Sequence, residues 1–150
     1  MYNNPLYDKD FLISLDKNKN KEIYCRITLY TFEETPIEYI EGKATGGSVN
    51  VDGASVLRRT CNLSMVSANL DVNIFVLGLE RKFKLEVGVK NIINSRYPEI
   101  IWFDLGMYVT TQVSTSRSTN NYSISISGKD KMCLLNGEVG GSLPSSVDFG

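Results

Sequence analysis

The side chains that most often carry chemistry are scarce or isolated in this chain. No histidine occurs among its 150 residues. That removes the usual general base, the usual activator of a serine or cysteine nucleophile, and the commonest metal ligand. Cys25, Cys61 and Cys133 stand far apart with no C-x-x-C pair, so the spacing of a structural zinc site is missing. An odd number of cysteines cannot close completely into intramolecular disulfides. The strand-like surroundings of Cys25 and Cys61 predict buried free thiols in a protein assembled in a reducing cytosol. Glu33-Glu34 has the residue types of an acid–base pair, but it abuts Thr35-Pro36, and a solvated loop is the better reading. Gly42 to Gly47 sets Lys43 and Thr45 among glycines without the G-x-x-x-x-G-K-[ST] pattern and ahead of a strand, which argues against a phosphate cradle. Asp52 is a lone turn carboxylate without the ligand spacing of a cation loop. Trp102, with Tyr97, Phe103 and Tyr108, has the makings of a sugar platform; aromatic packing against β-branched strands is the simpler expectation. These residues predict no enzymatic activity, no metal and no cofactor.

The more informative polar residues are architectural. Asn50-Val51-Asp52-Gly53-Ala54-Ser55 leads into Arg58-Arg59-Thr60, and Ser127-Gly128-Lys129-Asp130-Lys131-Met132 ends one element and opens another. Adjacent arginines on a strand point to opposite faces. Arg59 is in phase with Leu57, Cys61, Leu63 and Met65, which predicts a carboxylate or carbonyl partner for it. Arg58 is free to reach a neighbouring subunit. Two ordinary structural ion pairs are the plain alternative. The candidate structural or interface residues are therefore Asp52, Gly53, Arg58, Arg59, Lys129, Asp130 and Lys131.

The elements that must position them are mostly strands. Asp8 to Asp16 (DKDFLISLD) suits a short amphipathic helix, and Lys17 to Lys21 a polar surface turn. From residue 22 the hydrophobic period becomes two: Ile23, Cys25, Ile27 and Leu29 share a face. A turn at Thr35-Pro36, a strand over 37–42, a bend at Gly46-Gly47, a strand over 48–51 and a tight turn at Asp52-Gly53 follow. Val56 to Val66 alternates, and so, most cleanly, does Arg81 to Lys90, with Phe83, Leu85, Val87 and Val89 inward. Asn69 to Gly78 is irregular. Glu99 to Phe103 reads as a strand that Asp104-Leu105-Gly106 breaks or bulges before Met107 to Val109. Thr111 to Asn121 suits a hairpin with a long tip or polar edge strands, and Tyr122 to Gly128 alternates again. Asp130 to Asn136 reads as a short helix capped by Asp130 and stopped near Gly137. Seven or eight strands with one or two short flanking helices predict a mainly β domain, an antiparallel barrel or sandwich. No 10–15-residue helical pattern separates the strands, which argues against a parallel α/β fold. The organisation expected is an N-terminal helix and turn over 1–20, a β domain over 21–137 and a C-terminal extension over 138–150.

Composition narrows the setting. A 42% hydrophobic and 22% charged chain is that of a folded domain. A formal charge of -1 gives no whole-chain attraction for nucleic acid or membranes. The polar start Met1-Tyr2-Asn3-Asn4-Pro5 has no signal-peptide pattern, and no apolar run approaches the ~20 residues that span a bilayer. The expected partners are thus neither a nucleic acid read directly nor a membrane.

Several runs resemble a known family. They are Ile40-Glu41-Gly42, Gly47 to Gly53 with Ser55, Arg58-Arg59-Thr60-Cys61, Ile101-Trp102-Phe103 with Gly106 and Tyr108, and Gly128 to Met132 with Leu135-Asn136-Gly137. Together they resemble the N-terminal region of tailed-bacteriophage baseplate proteins, in particular hub-type, spike-holding tail proteins. The resemblance covers most of the chain after the first helix, through short motifs. It implies a barrel related to tail-tube domains and a structural virion protein made in the bacterial cytoplasm. That protein would assemble as a homo-oligomeric ring joining the tail tube to the tip or spike, with tube, spike and wedge proteins as partners. It also implies architectural roles for Arg58-Arg59-Thr60 and Gly128 to Lys131, in barrel closure or subunit contacts. Hub proteins generally continue through further domains, and this chain ends at Gly150. A baseplate wedge or other tail-tip protein is the alternative within that family. A carbohydrate-binding β-sandwich using Trp102, Tyr108 or Tyr97 is the alternative of another class.

Overall fold

A computed structural model describes residues 12–13, 16, 22–31, 33–68, 81–90 and 99–135. They form β1 (Ile23–Tyr30), β2 (Pro36–Val51), β3 (Arg59–Ser67), β4 (Lys82–Lys90), β5 (Ile100–Arg117), β6 (Tyr122–Lys129) and one helical turn, α1 (Met132–Leu135). Leu12, Ile13 and Asp16 are helical. The rest of the expected first helix, the 17–21 turn, 69–78, Tyr97, Asn136-Gly137 and the extension over 138–150 lie outside the described residues.

All ladders are antiparallel, and the order β1-β2-β3-β6-β5-β4 closes on itself. The fold is thus the barrel, not the sandwich, of the two architectures expected. One circuit of paired residues starts at Pro36, passes Tyr30, Lys82, Val109, Lys129 and Thr60, and returns to the same strand at Asn50. So large a stagger forces steep strand tilt.

Two long strands carry that stagger. The first part of β2 pairs with β1 and the part from Lys43 onward with β3. Likewise β5 pairs with β4 up to Val109 and with β6 from there on. The barrel therefore consists of two four-stranded regions: β2 (36–43), β1, β4 and β5 (100–109), and β2 (43–51), β3, β6 and β5 (109–117). Bulges ease the passage between them, with Thr45 extra in β2 and Leu105 and Thr111 extra in β5. A bulge bends a strand without ending it. That is why six strands occur among the described residues where seven or eight are expected: Gly46-Gly47 and Asp104-Leu105-Gly106 bend strands and do not break them. The Asp52-Gly53 turn is also looser than expected, because the connection runs from 52 to 58 and closes through Asp52 N–H donating to the Arg58 carbonyl at 2.8 Å.

The core follows the period-two pattern. Cys25, Ile27, Leu29, Phe83, Leu85, Cys61, Leu63, Met65, Ile124 and Ile126 are all buried. Tyr108 is fully buried and stacks on Phe83 with ring centroids 5.7 Å apart, so it packs as core. Its hydroxyl donates to the Leu105 carbonyl at 2.9 Å, and burial pushes its pKa up. Trp102 departs from the expectation of core packing. It lies on the outer face across Gly88, where a Cβ would come within 2.8 Å of the ring.

Candidate functional site

Three surfaces concentrate the polar groups. The first is the barrel end where Tyr30, Lys82, Val109, Lys129 and Thr60 line up. The two motifs singled out in the sequence meet there. Asp130 Oδ2 accepts the Arg59 N–H at 3.0 Å, and the Asp130 N–H donates to the Arg59 carbonyl at 2.9 Å. Asp130 Oδ1 also accepts the Met132 N–H at 2.8 Å, capping α1 as expected. Asp52 Oδ1 accepts the Ala54 N–H at 3.0 Å in the adjoining loop, where Gly53 and Arg58 are exposed. Lys129 ends β6 between Thr60 and Val109.

Arg59 needs a correction. It is in phase with the buried face but sits at the rim and is exposed. No described carboxylate forms a salt bridge with its guanidinium. Its Nη1 lies against Gly106, 2.8 Å from where a Cβ would stand. The Asp130 carboxylate engages its backbone instead. Lys131 and Lys82 both contact Glu34 Oε1, the latter at 3.1 Å. Glu34 adopts φ +63°, and its hydrogen bonds from Lys131 and then Lys82 hold its carboxyl below the ordinary range. Glu34 is one of the pair expected in a solvated loop; nothing local signals that two distant lysines converge on it.

The second surface is the outer face of the β1–β4 region. Cross-strand partners place Glu41, Arg26, Glu86 and Asp104 in one row. Arg26 Nε donates to Glu41 Oε1 at 2.6 Å, and Nη1 stands 3.8 Å from Glu86 Oε2. Its guanidinium lies 4.1 Å from the Trp102 ring centroid and 5.5 Å from that of Tyr39, within cation–π range. This bears on the sugar-platform alternative. Tyr108 is buried, Trp102 carries Arg26 on its face, and Tyr97 lies outside the described residues.

The third surface is the β3–β6 region, and its composition is the reverse. Apart from Arg59, Arg117 and Lys129 at strand ends, β3, β6, Ala44 to Val51 and Thr110 to Arg117 contain no charge. The outer face carries a row of Ser48, Asn62, Ser127 and Gln112 and a row of Gly46, Ser64, Ser125 and Ser114. Both outer borders of this region, the β1-facing edge of Ala44 to Val51 and the β4-facing edge of Thr111 to Arg117, lack a ladder partner among the described residues.

Among the described residues no group of three or more Cys, Asp and Glu could hold a metal ion, and no helix is long and apolar enough to cross a membrane.

No protein-family model and no curated protein matches the chain. Solved structures of the Francisella PdpA-VgrG complex are similar to it. The half-lidded form matches with TM-score 0.47 and 9% identity over 83% of this chain and 21% of that chain. The lidded form matches with TM-score 0.43 and 11% identity over 84% and 18%. The chain thus spans about a fifth of the length of the structures it matches.

Proposed function

We propose that this chain is a structural component of a phage-type tail baseplate, of the hub type. Its copies would form a ring that joins a tail tube to the tip or spike. The resemblance of the Gly47 to Gly53, Arg58 to Cys61 and Gly128 to Gly137 runs first suggests it.

The observation that carries it is the pair of outer borders, of Ala44 to Val51 and of Thr110 to Ser116, that are uncharged and have no ladder partner among the described residues. Exposed strand edges are usually guarded by charge, proline or cover. Here Ala44 to Val51 and Thr110 to Ser116 have neither charge nor proline. The two borders run antiparallel to each other. The β5 border of one copy therefore has the polarity needed to pair with the β2 border of the next. Such a contact is heterologous, and repeated with closure it generates a ring.

The test is particle mass in solution with and without edge charges. The wild-type chain is expected to form a closed oligomer. Asn50→Lys and Ser114→Lys, one on each border, are expected to leave monomers with unchanged circular dichroism. A wild-type chain that stays monomeric at every concentration would overturn the reading.

A further inference from the structure

Three aspartates among the described residues make the same short-range hydrogen bond. Asp52 Oδ1 accepts the Ala54 N–H at 3.0 Å, Asp104 Oδ1 the Gly106 N–H at 2.8 Å and Asp130 Oδ1 the Met132 N–H at 2.8 Å. Such a bond folds the carboxyl group back over the peptide unit that follows it. What surrounds that unit differs. Asp104 stands opposite Glu86 in the ladder, its Oδ2 lies 3.1 Å from Lys84 Nζ, and Leu105 after it packs on the core. Asp130 gives its second oxygen to the Arg59 N–H, and Lys131 after it is tied into the turn of α1 through its carbonyl.

Asp52 has neither restraint. Gly53 follows it, both are exposed, and a Cβ at Gly53 would meet nothing within 4 Å. Among the described residues no group accepts a hydrogen bond from the Gly53 N–H, and no cation pairs with the Asp52 carboxylate. The Asp52 N–H is held by the Arg58 carbonyl at 2.8 Å. The aspartate is therefore anchored while the glycine beyond it is free to turn. Glycine has the widest backbone freedom of any residue and no side chain to crowd its nitrogen.

We propose that Asp52-Gly53 is a site of covalent self-modification, the rearrangement of aspartate to isoaspartate through a cyclic imide. The Gly53 nitrogen attacks Cγ of the protonated Asp52 carboxyl group. A C–N bond forms, the Cγ–OH bond breaks, and the hydroxyl leaves as water with the proton of the amide nitrogen. Water then adds back to the five-membered ring. Opening at Cγ restores aspartate; opening at the main-chain carbonyl leaves the peptide running through Cβ and Cγ. No oxidant, metal or enzyme is needed, and the product has the same mass. Its main chain is one atom longer, beside the Val51–Arg59 pair and the Asp52–Arg58 bond that close the connection from β2 to β3. The site belongs to the single chain and does not depend on the ring.

The test is timed incubation of the full chain in mildly acidic buffer, followed by tryptic peptide mapping. Cleavage after Lys43 and Arg58 releases Ala44 to Arg58, in which Asp52 is the single aspartate. A second chromatographic peak of unchanged mass should grow with time, and electron-transfer fragments should place isoaspartate at position 52. It should grow in the folded chain as fast as in a synthetic peptide of residues 44–58. The peptide carrying Asp104 should stay a single peak. Asp52→Glu, which would need a six-membered ring, and Gly53→Ala, whose Cβ has open space around it, should both lose the second peak while keeping the wild-type circular dichroism. A folded chain that stays single while the synthetic peptide splits overturns the proposal, because the fold then protects the site. Equal conversion in Gly53→Ala, or equal conversion at Asp104, overturns it as well.

Discussion

Gly106 answers to two constraints at once. Its φ is +116° and Arg59 Nη1 occupies the space a Cβ would need. Such conformations cost a side-chain-bearing residue about 1–3 kcal/mol. Gly106→Ala is expected to lower stability by that order in urea denaturation, the flexible end of Arg59 swinging aside, whereas Gly53→Ala, which meets nothing within 4 Å, should lie within about 0.5 kcal/mol of wild type. Asp130 is the second such residue, because one carboxylate serves both the Arg59 and Met132 N–H groups. Asp130→Ala should cost about 1–2 kcal/mol, the upper part of the range for a lost cap, measured the same way. The cysteines are structural by the same kind of reasoning. Burial pushes the Cys25 thiol up to about 11 and the Cys61 thiol up to about 12, so both should resist alkylation at neutral pH in the folded chain.

At the scale of elements, ionic contacts join segments that the chain separates. Glu34, in the β1–β2 connection, holds Lys82 at the start of β4 and Lys131 beside α1. A carboxyl whose pKa is lower folded than unfolded stabilises the fold above the unfolded value and loses that contribution as pH falls through the folded one. Thermal stability of the wild type should therefore decline as pH drops below the ordinary value of 4.5. Glu34→Gln should be less stable near neutrality and should decline less over that interval. Arg26 does the equivalent on the outer face, where it links β2, β4 and β5 through Glu41, Glu86 and Trp102. Its planar group both stacks and forks, which lysine cannot reproduce. Arg26→Lys should lose about 1 kcal/mol in denaturant unfolding, of the order of one cation–π contact.

At the scale of the whole molecule, the division of charge decides how the barrel meets other chains. The β1–β4 region carries paired charges that solvate it, while the β3–β6 region presents hydroxyls and two borders that no described residue pairs with. Assembly through those borders should depend weakly on salt, since backbone hydrogen bonds and not ion pairs would hold it. Particle mass across a salt titration checks this, and dissociation at high salt would favour contacts through the charged barrel end instead.

Much of this was legible in the residues alone. Period-two alternation placed β1, β3, β4 and β6 because a half-buried strand needs one apolar face. The Asp130 cap was readable because capping is local. Closure was not. Alternation marks an inward face but does not say which strand lies beside which, so barrel and sandwich looked alike. Whether Gly46-Gly47 and Leu105-Gly106 end strands or bend them depends on partners many residues away. The same dependence hid Glu34, whose lysines are 48 and 97 residues away in sequence, and misplaced Arg59, whose phase points inward but whose position at the rim leaves it exposed. The uncharged runs Ala44 to Val51 and Thr110 to Ser116 were visible as letters; only the staggered pairing of β2 and β5 makes them two borders of one surface.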